Sequence, residues 1–231
     1  GLTHLNLVDG HDERYVVPLD RQNTRIVDRT GGTFLHTSRV NPSKLPVDML
    51  PQHAQGGSRQ LEEIKPGVVD ATPVVLENIE KLGIDHLITI GGDDTLSYAS
   101  VLDRAGVPVV AVPKTMDNDV QNTEYCIGFS TAMTRAVDTI NRLRTTLGSH
   151  ERIGVFRIFG RDAGFTALYP AYVTNIRCCI PEAEFELATL ITLLLDDKRD
   201  NPPSYSLVLP SEGATWIGHR AQQHGPPAPS G

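Results

Sequence analysis

The sequence is poor in the features that mark several function classes. It holds three cysteines, Cys126, Cys178 and Cys179, with no C-x-x-C spacing, which excludes a disulfide framework and a cysteine zinc site. A reducing compartment suits such a chain, and a cytoplasmic location is expected. Aromatic residues make up 6%, with one tryptophan, and nothing in their arrangement suggests a stacking platform. There is no basic excess: 21 Lys and Arg stand against 28 Asp and Glu, a net charge of −7. Neutralising a phosphate backbone needs clustered cations, so no nucleic-acid partner is expected. Apolar runs are short. The longest, 187–195, is nine residues broken by Thr, against the roughly 20 a spanning helix requires, so no membrane partner is expected either. The eight histidines show no ligand spacing of the HxxxH kind. No secretory signal opens the chain, which begins with Gly rather than Met.

What remains is an ordinary globular composition, 39% hydrophobic and 21% charged over 231 residues, enough for one large domain or two small ones. The first 65 residues are polar and loop-rich, with a weak strand signal at 14–17 and turns at Gly31-Gly32-Thr33 and Gly56-Gly57-Ser58. From Pro66 the apolar spacing predicts a helix over 68–82, stopped by Gly83. A β-branched run then predicts a strand at 86–90. The alternation continues with a helix at 96–105, a strand at 108–112, a helix at 127–147 and a strand at 153–159. Helices at 164–173 and 181–195 precede a last strand at 205–209. Strands alternating with helices of this length imply parallel βαβ units in an α/β fold. The segment 219–231 is rich in Gln, Gly and Pro without apolar pattern, and a disordered tail is expected from 217 on. Residues 1–216 are expected to form one catalytic domain.

Four predicted strands each end in a short polar cluster. Ile90 is followed by Gly91-Gly92-Asp93-Asp94-Thr95, and Val112 by Pro113-Lys114-Thr115-Met116-Asp117-Asn118-Asp119. Phe159 is followed by Gly160-Arg161-Asp162-Ala163-Gly164, and Leu209 by Pro210-Ser211-Glu212-Gly213. Open parallel sheets bind ligands outside the carboxyl ends of their strands, so the clusters are expected to converge on one crevice. Gly91-Gly92 would let backbone approach a phosphate at the start of a helix, and Asp93 suits a Mg²⁺ that also takes phosphate oxygens. A glycine turn with Asp93, Asp94 and Thr95 as helix caps explains the same residues without a ligand. Asp117 and Asp119, beside Lys114 and Thr115, can divide base and positioning roles in phosphoryl transfer. An Asx-rich turn is the bland alternative. Arg161 can bind phosphate bidentately or form a surface salt bridge, and Glu212 can accept from sugar hydroxyls or remain a solvated acid.

With these residues in hand, the chain resembles the 6-phosphofructokinase family. The resemblance runs from about Gly31 to Trp216 and rests on GGTFLHTSR at 31–39, GGDDT at 91–95, PKTMDND at 113–119 and IGFST at 127–131. It continues in the same order with SHER at 149–152, FGRDAG at 159–164, Pro181-Glu182 and SEGA at 211–214. NAD kinases and lipid kinases share a GGD-type loop but are not expected to carry PKTxDND or FGRxAG. The resemblance implies a three-layer phosphofructokinase-like α/β fold with a mainly parallel sheet. It implies transfer of a phosphoryl group to the 1-hydroxyl of fructose 6-phosphate, with Mg²⁺ as cofactor. Asp117 would be the general base, Asp93 would hold the metal, and Thr115 and Asp119 would contact sugar or the transferred group. Arg152, Phe159, Gly160, Arg161 and Glu212 would belong to the sugar-phosphate pocket. Arg39, Gly91, Gly92, Asp94 and Thr95 would line the donor phosphates. The equivalent of Arg152 typically reaches a neighbouring subunit's site, so a homo-oligomer is implied.

Donor choice turns on Asp94 and Lys114, where ATP-dependent bacterial relatives typically carry Gly. The pairing resembles the pyrophosphate-dependent branch. A carboxylate at 94 would repel the α-phosphate of ATP, and Lys114 adds a cation suited to pyrophosphate. Pyrophosphate is therefore the expected donor, with ATP, or a catalytically inactive member of the family, as alternatives. Family members usually open with a strand and a GGDxPGxN loop and continue well past SEGA. The chain is thus expected to be incomplete at both ends and to turn over little in isolation. Two interior positions depart from the pattern: Asn122 stands where a turn glycine is expected, and Arg157 where a strand carboxylate is usual.

Overall fold

The computed structural model describes residues 16–38, 40–50 and 61–218. The turn at 56–58, Arg39, the first half of the 14–17 strand signal and the tail from 219 lie outside the described residues; residues 16 and 17 take no strand pairing, and 217–218 form a turn. The chain divides into two compact units, 1–112 and 113–231.

In the first unit three short strands, β1 (Leu45–Pro46), β2 (Glu63–Lys65) and β3 (Val68–Val69), form an antiparallel sheet with β3 in the centre. Val68 and Val69 therefore begin no helix. The turn of chain comes at Asp70, whose carboxylate accepts from Thr72 N–H at 2.8 Å, and α1 (Thr72–Lys81) starts there with Pro73 in its first turn. The apolar stripe read from the sequence then packs as expected: Val75 and Ile79 of α1 meet Leu102 and Val107. Gly83, at φ +63, ends the helix in the left-handed conformation that favours glycine. β4 (Leu87–Gly91) leads into α2 (Asp93–Arg104), which begins three residues earlier than the apolar pattern does because its first turn is acidic. β5 (Val109–Thr115) lies beside β4 and runs across the boundary into the second unit.

In the second unit β6 (Ile127–Gly128) pairs parallel with the end of β5, Lys114 opposite Ile127 and Thr115 opposite Gly128. That pairing delays the long helix α3 (Phe129–Ser149) by two residues relative to its sequence pattern. β7 (Ile153–Val155), β8 (Arg177–Cys179) and β9 (Ser206–Pro210) form a parallel sheet in the order β7-β9-β8. The crossovers are α4 (Phe165–Thr174) and α5 (Leu187–Asp200). Central β9 is buried on both faces: Leu207 and Leu209 join Ile140, Ala167 and Ala171 on one side, and Val208 joins Cys179 and Leu194 on the other. This is a helix–sheet–helix sandwich, the three-layer arrangement expected.

Two boundaries move. β8 replaces what reads as loop between two helices, and its Arg177 holds Asp197 of α5 in a two-pronged ion pair, with Nη2–Oδ1 at 2.6 Å. The helix expected from 181 begins only at Leu187, because Phe185 is held extended by backbone bonds with Thr215 and Ile217, at 3.2 and 2.9 Å. The adjacent cysteines are packing residues: both thiols are pushed up by burial, that of Cys179 to about 11.

Candidate active site

In the first unit the cluster at 91–95 forms the junction between β4 and α2. Gly91 is buried, and a Cβ there would stand 2.6 Å from the Thr95 Cβ, so only glycine lets the threonine fold back over the strand end. Gly92 is the N-cap, its carbonyl accepting from Thr95 N–H at 3.0 Å and Leu96 N–H at 3.1 Å. Among the described residues no side chain caps this helix. A helix start without a side-chain cap leaves its first amides to other acceptors, and with the positive end of the dipole behind them that setting suits an anion. Asp93 and Asp94 are both exposed in that turn. Of the two readings of this motif, side-chain capping by its own residues is the one the bonding pattern leaves out.

In the second unit Lys114 and Thr115 end β5. Lys114 is exposed, and among the described residues it makes no ion pair. Thr115 Oγ1 accepts from Asp117 N–H at 3.2 Å, folding the chain back after the strand. Asn118 then takes φ +54 and clamps the loop from inside: its Oδ1 accepts from Cys126 N–H at 2.8 Å and its Nδ2 donates to Glu124 O at 3.3 Å. The clamp fixes the loop that carries the flanking carboxylates, Asp117 and Asp119. Asp117 Oδ1 and Asp119 Oδ1 are both buried with no hydrogen-bond partner among the described residues. Buried acceptors without partners are costly, which makes such a pair conspicuous. Burial pushes the Asp117 carboxyl above the usual carboxylate range, and the charges of Asp119 and Glu212 push it further; Arg161 pulls it back, and Asp162 raises it again.

These through-space charges bring four of the expected site residues together. Asp117, Asp119, Arg161 and Glu212 share one electrostatic neighbourhood in the second unit. The loops carrying Arg161 and Glu212 are joined by short links. Ser211 Oγ donates to Gly160 O and Gly213 N–H donates to the same carbonyl at 3.1 Å, while within the first loop Thr166 Oγ1 donates to Phe159 O. Gly160 has φ +120, and a Cβ there would come within 2.8 Å of Ser211 Oγ. Phe159 and Arg161 themselves are exposed, Arg161 alongside Asp162 at 3.4 Å. A cavity of about 660 Å³ lies between β7, β9 and α5; its lining is mainly apolar, with Ile153, Val155, Leu190, Leu194 and Val208, and also includes Arg157, Ser211 and Glu212. Arg157 donates to the Glu212 carbonyl at 3.3 Å.

Arg152 stands apart. It precedes β7, at the sheet's amino edge, whereas the carboxylate cluster follows the strands' carboxyl ends. Asn122, flagged for standing where glycine is expected, takes φ +61, a conformation asparagine tolerates. Sequence reasoning passed over two positioning residues: Asn118, whose amide clamps the loop, and Glu182, whose Oε1 accepts from Gly164 N–H at 2.7 Å at the start of α4. An Asn between two Asp, and a Pro-Glu ahead of a helix pattern, were the available signals.

The sequence model of the family described as Phosphofructokinase matches residues 5–225. The chain belongs to the phosphofructokinase family. Among curated relatives it is 38% identical over 175 residues to a pyrophosphate–fructose 6-phosphate 1-phosphotransferase of Dictyoglomus thermophilum, an alignment covering 75% of the chain and 44% of that protein. A phosphotransferase of the same name from Streptomyces coelicolor is 37% identical, with 86% and 51% covered. An ATP-dependent 6-phosphofructokinase of Mycobacterium bovis is 34% identical, with 84% and 50% covered. The chain thus spans about half the length of the curated phosphofructokinases it matches. Solved phosphofructokinases share the fold. The enzyme of Pichia pastoris in the T-state aligns at TM-score 0.56 and 24% identity over 66% of this chain and 19% of that one. The pyrophosphate-dependent phosphofructokinase of Marinobacter aquaeolei aligns at 0.54 and 23% over 65% and 43%. The expected phosphofructokinase-like α/β fold is borne out.

Proposed function

We propose that the chain carries the phosphoryl-transfer residues of a pyrophosphate-dependent phosphofructokinase acting on the 1-hydroxyl of fructose 6-phosphate. The observation that supports it most is the Asp117–Asp119 pair, two buried carboxylate oxygens without hydrogen-bond partners among the described residues, in the field of Arg161 and Glu212. A sugar hydroxyl is the donor such oxygens lack. Asp117 accepts the hydroxyl proton as the oxygen attacks the phosphorus, and its raised pKa makes it a stronger base than an ordinary carboxylate. Asp119 and Glu212 hold the neighbouring hydroxyls, and Arg161 holds the sugar phosphate. Thr115 fixes the Asp117 backbone and Lys114 supplies a cation for the leaving phosphate.

Gly91, Gly92 and Thr95 offer the uncapped turn of α2 to the donor phosphates, together with Arg39. Mg²⁺ fits this turn because it needs only one or two carboxylates plus phosphate oxygens, and Asp93 is an exposed carboxylate there. When bound, the ion offsets charge on the transferring group. Asp94, in the same turn, disfavours the α-phosphate of ATP. Arg152 is assigned to a neighbouring copy's sugar phosphate in a cytoplasmic homo-oligomer.

The test is phosphoryl transfer to fructose 6-phosphate with Mg²⁺, pyrophosphate against ATP. It is run on this chain and on a version whose flanking segments come from the Streptomyces coelicolor phosphotransferase. Turnover with pyrophosphate is expected in the extended version, and Asp94→Gly is expected to raise ATP use about tenfold or more, the scale of one lost repulsion. Turnover with ATP alone would overturn the donor assignment and leave the acceptor side standing.

A further inference from the structure

Arg157 departs from the family's sequence pattern, and the proposed reaction gives it no role. The pairing of β7 with β9 continues past both strands. Phe156 N–H donates to Val208 O at 3.0 Å, and Ile158 N–H donates to Pro210 O at 3.1 Å. Arg157 lies between these rungs. Ile153, Val155 and Arg157 alternate along the strand and line one cavity, so the arginine stem runs along its apolar wall. The guanidinium ends on a carbonyl rather than a carboxylate. Its Nη2 donates to Glu212 O at 3.3 Å, and among the described residues Arg157 forms no ion pair.

That carbonyl belongs to the central peptide of a turn. Ala214 N–H donates to Ser211 O at 3.1 Å, which makes 211–214 a β-turn with Glu212 and Gly213 in the middle. The peptide between those two is gripped at both ends. Arg157 holds its carbonyl, and its N–H donates to Gly160 O at 3.1 Å. Such a peptide can flip. The flipped, type II form needs a left-handed φ at the third residue, which glycine adopts freely, and Gly213 does not hold that φ here. Nor can a stiffer residue replace Gly213, because a Cβ there would overlap the Arg161 carbonyl. The turn keeps its freedom to flip, and bonds from outside have to hold it.

We infer that Arg157 is a positioning residue for Glu212: it fixes the central peptide of the 211–214 turn and so the direction in which the Glu212 side chain leaves the loop. The inference rests on the proposed sugar-binding role of Glu212 and adds the residue that sets its place. Arg157 stands four residues before Arg161 and reaches a loop 55 residues further on. Its bond therefore also ties the cation proposed for the sugar phosphate to the carboxylate proposed for the hydroxyls. The side chain at 157 decides whether the tie exists. A carboxylate, expected there from the resemblance, has no proton to give the carbonyl and repels Glu212. Methionine keeps the apolar stem and drops the donor, whereas lysine keeps both.

Two measurements on Arg157→Met, Arg157→Lys and Arg157→Glu test this. Arg157 is exposed, so none of these substitutions opens the core. In the 231-residue chain, hydrogen exchange at the Gly213 amide should quicken about tenfold in the Met and Glu variants and stay near wild type in the Lys variant. Kinetics use the version extended with Streptomyces coelicolor segments. There Arg157→Met should raise KM for fructose 6-phosphate about tenfold, the scale of one lost charge-assisted hydrogen bond, with kcat within about twofold. Arg157→Lys should recover most of that loss, and Arg157→Glu should exceed it. Equal exchange at Gly213 in wild type and Arg157→Met would overturn the inference whatever the kinetics. Faster exchange with an unchanged KM would overturn it too, since the turn would then hold nothing the sugar needs. So would a Lys variant no better than the Met one. A wild-type extended version without turnover would instead overturn the reading of the reaction, and the role in sugar binding with it, while exchange at Gly213 still reports on the turn.

Discussion

At the scale of single residues, the proposed chemistry rests most heavily on Asp117. Its burial, and the like charges of Asp119 and Glu212, raise the pH at which it ionises. Removing one of those charges has a defined sign. Asp119→Asn takes away a raising influence, so the acid limb of kcat/KM in the assembled enzyme should move to lower pH even as the maximum falls. An unmoved limb would show that Asp117 is not the base. Asp117→Asn should cost roughly 10²–10⁴-fold in kcat, the range for loss of a general base. The same residue makes a stability prediction. A carboxyl whose pKa is higher in the folded chain than in the unfolded one favours the fold when protonated, and that contribution is lost as pH rises through the folded value. Asp117→Asn should therefore melt at a higher temperature than wild type at pH 7, and the gain should shrink toward about pH 4, near the unfolded carboxyl's own pKa. Equal melting shifts at both pH values in thermal scans would contradict this.

At the scale of elements, the local pattern and the tertiary pairing divide the work. The strand at 87–91 follows from a short β-branched run and that at 206–210 from a short apolar one, and α1, α2 and α4 lie within a few residues of their apolar periods. The exceptions share a cause. Val68–Val69, Ile127–Gly128 and Arg177–Cys179 are two- or three-residue strands, too short to show alternation, and each exists because a distant strand offers a ladder. Phe185 is likewise held out of α5 by Thr215 and Ile217, thirty residues on in sequence. The loop crossing above β9 depends on one backbone conformation. Gly160→Ala forces a Cβ against Ala163 O at 2.6 Å and a φ of +120 on an L residue. Urea unfolding should show a loss of about 1–3 kcal/mol, with Phe159 and Arg161 displaced and substrate binding weakened alongside. A neutral substitution would mean that the loop rearranges freely and positions nothing.

At the scale of the whole molecule, charge sets a condition on binding. A chain of net charge −7 repels polyanions, so the proposed binding of pyrophosphate would rest on local cations and on the α2 turn. Removing divalent metal with a chelator should weaken pyrophosphate binding at least tenfold in calorimetric titration, and Asp93→Asn should reproduce most of that loss with metal present. Binding indifferent to metal would remove Asp93 from its assigned role. The sequence by itself determined the family, the α/β alternation and the identity of the polar clusters, because a phosphate loop, a carboxylate pair and a glycine turn each need particular residue types at fixed spacing. It could not show that Asn118 clamps the carboxylate loop or that Asp117, Asp119, Arg161 and Glu212 share one field, since those groups are up to 95 residues apart. Nor could it separate the covered face of α4 from the uncovered one, both being apolar. Burial and through-space charge belong to the folded chain. Only the tertiary structure decided which carboxylate is pushed up, which oxygens lack partners and which apolar stripe is left facing outward.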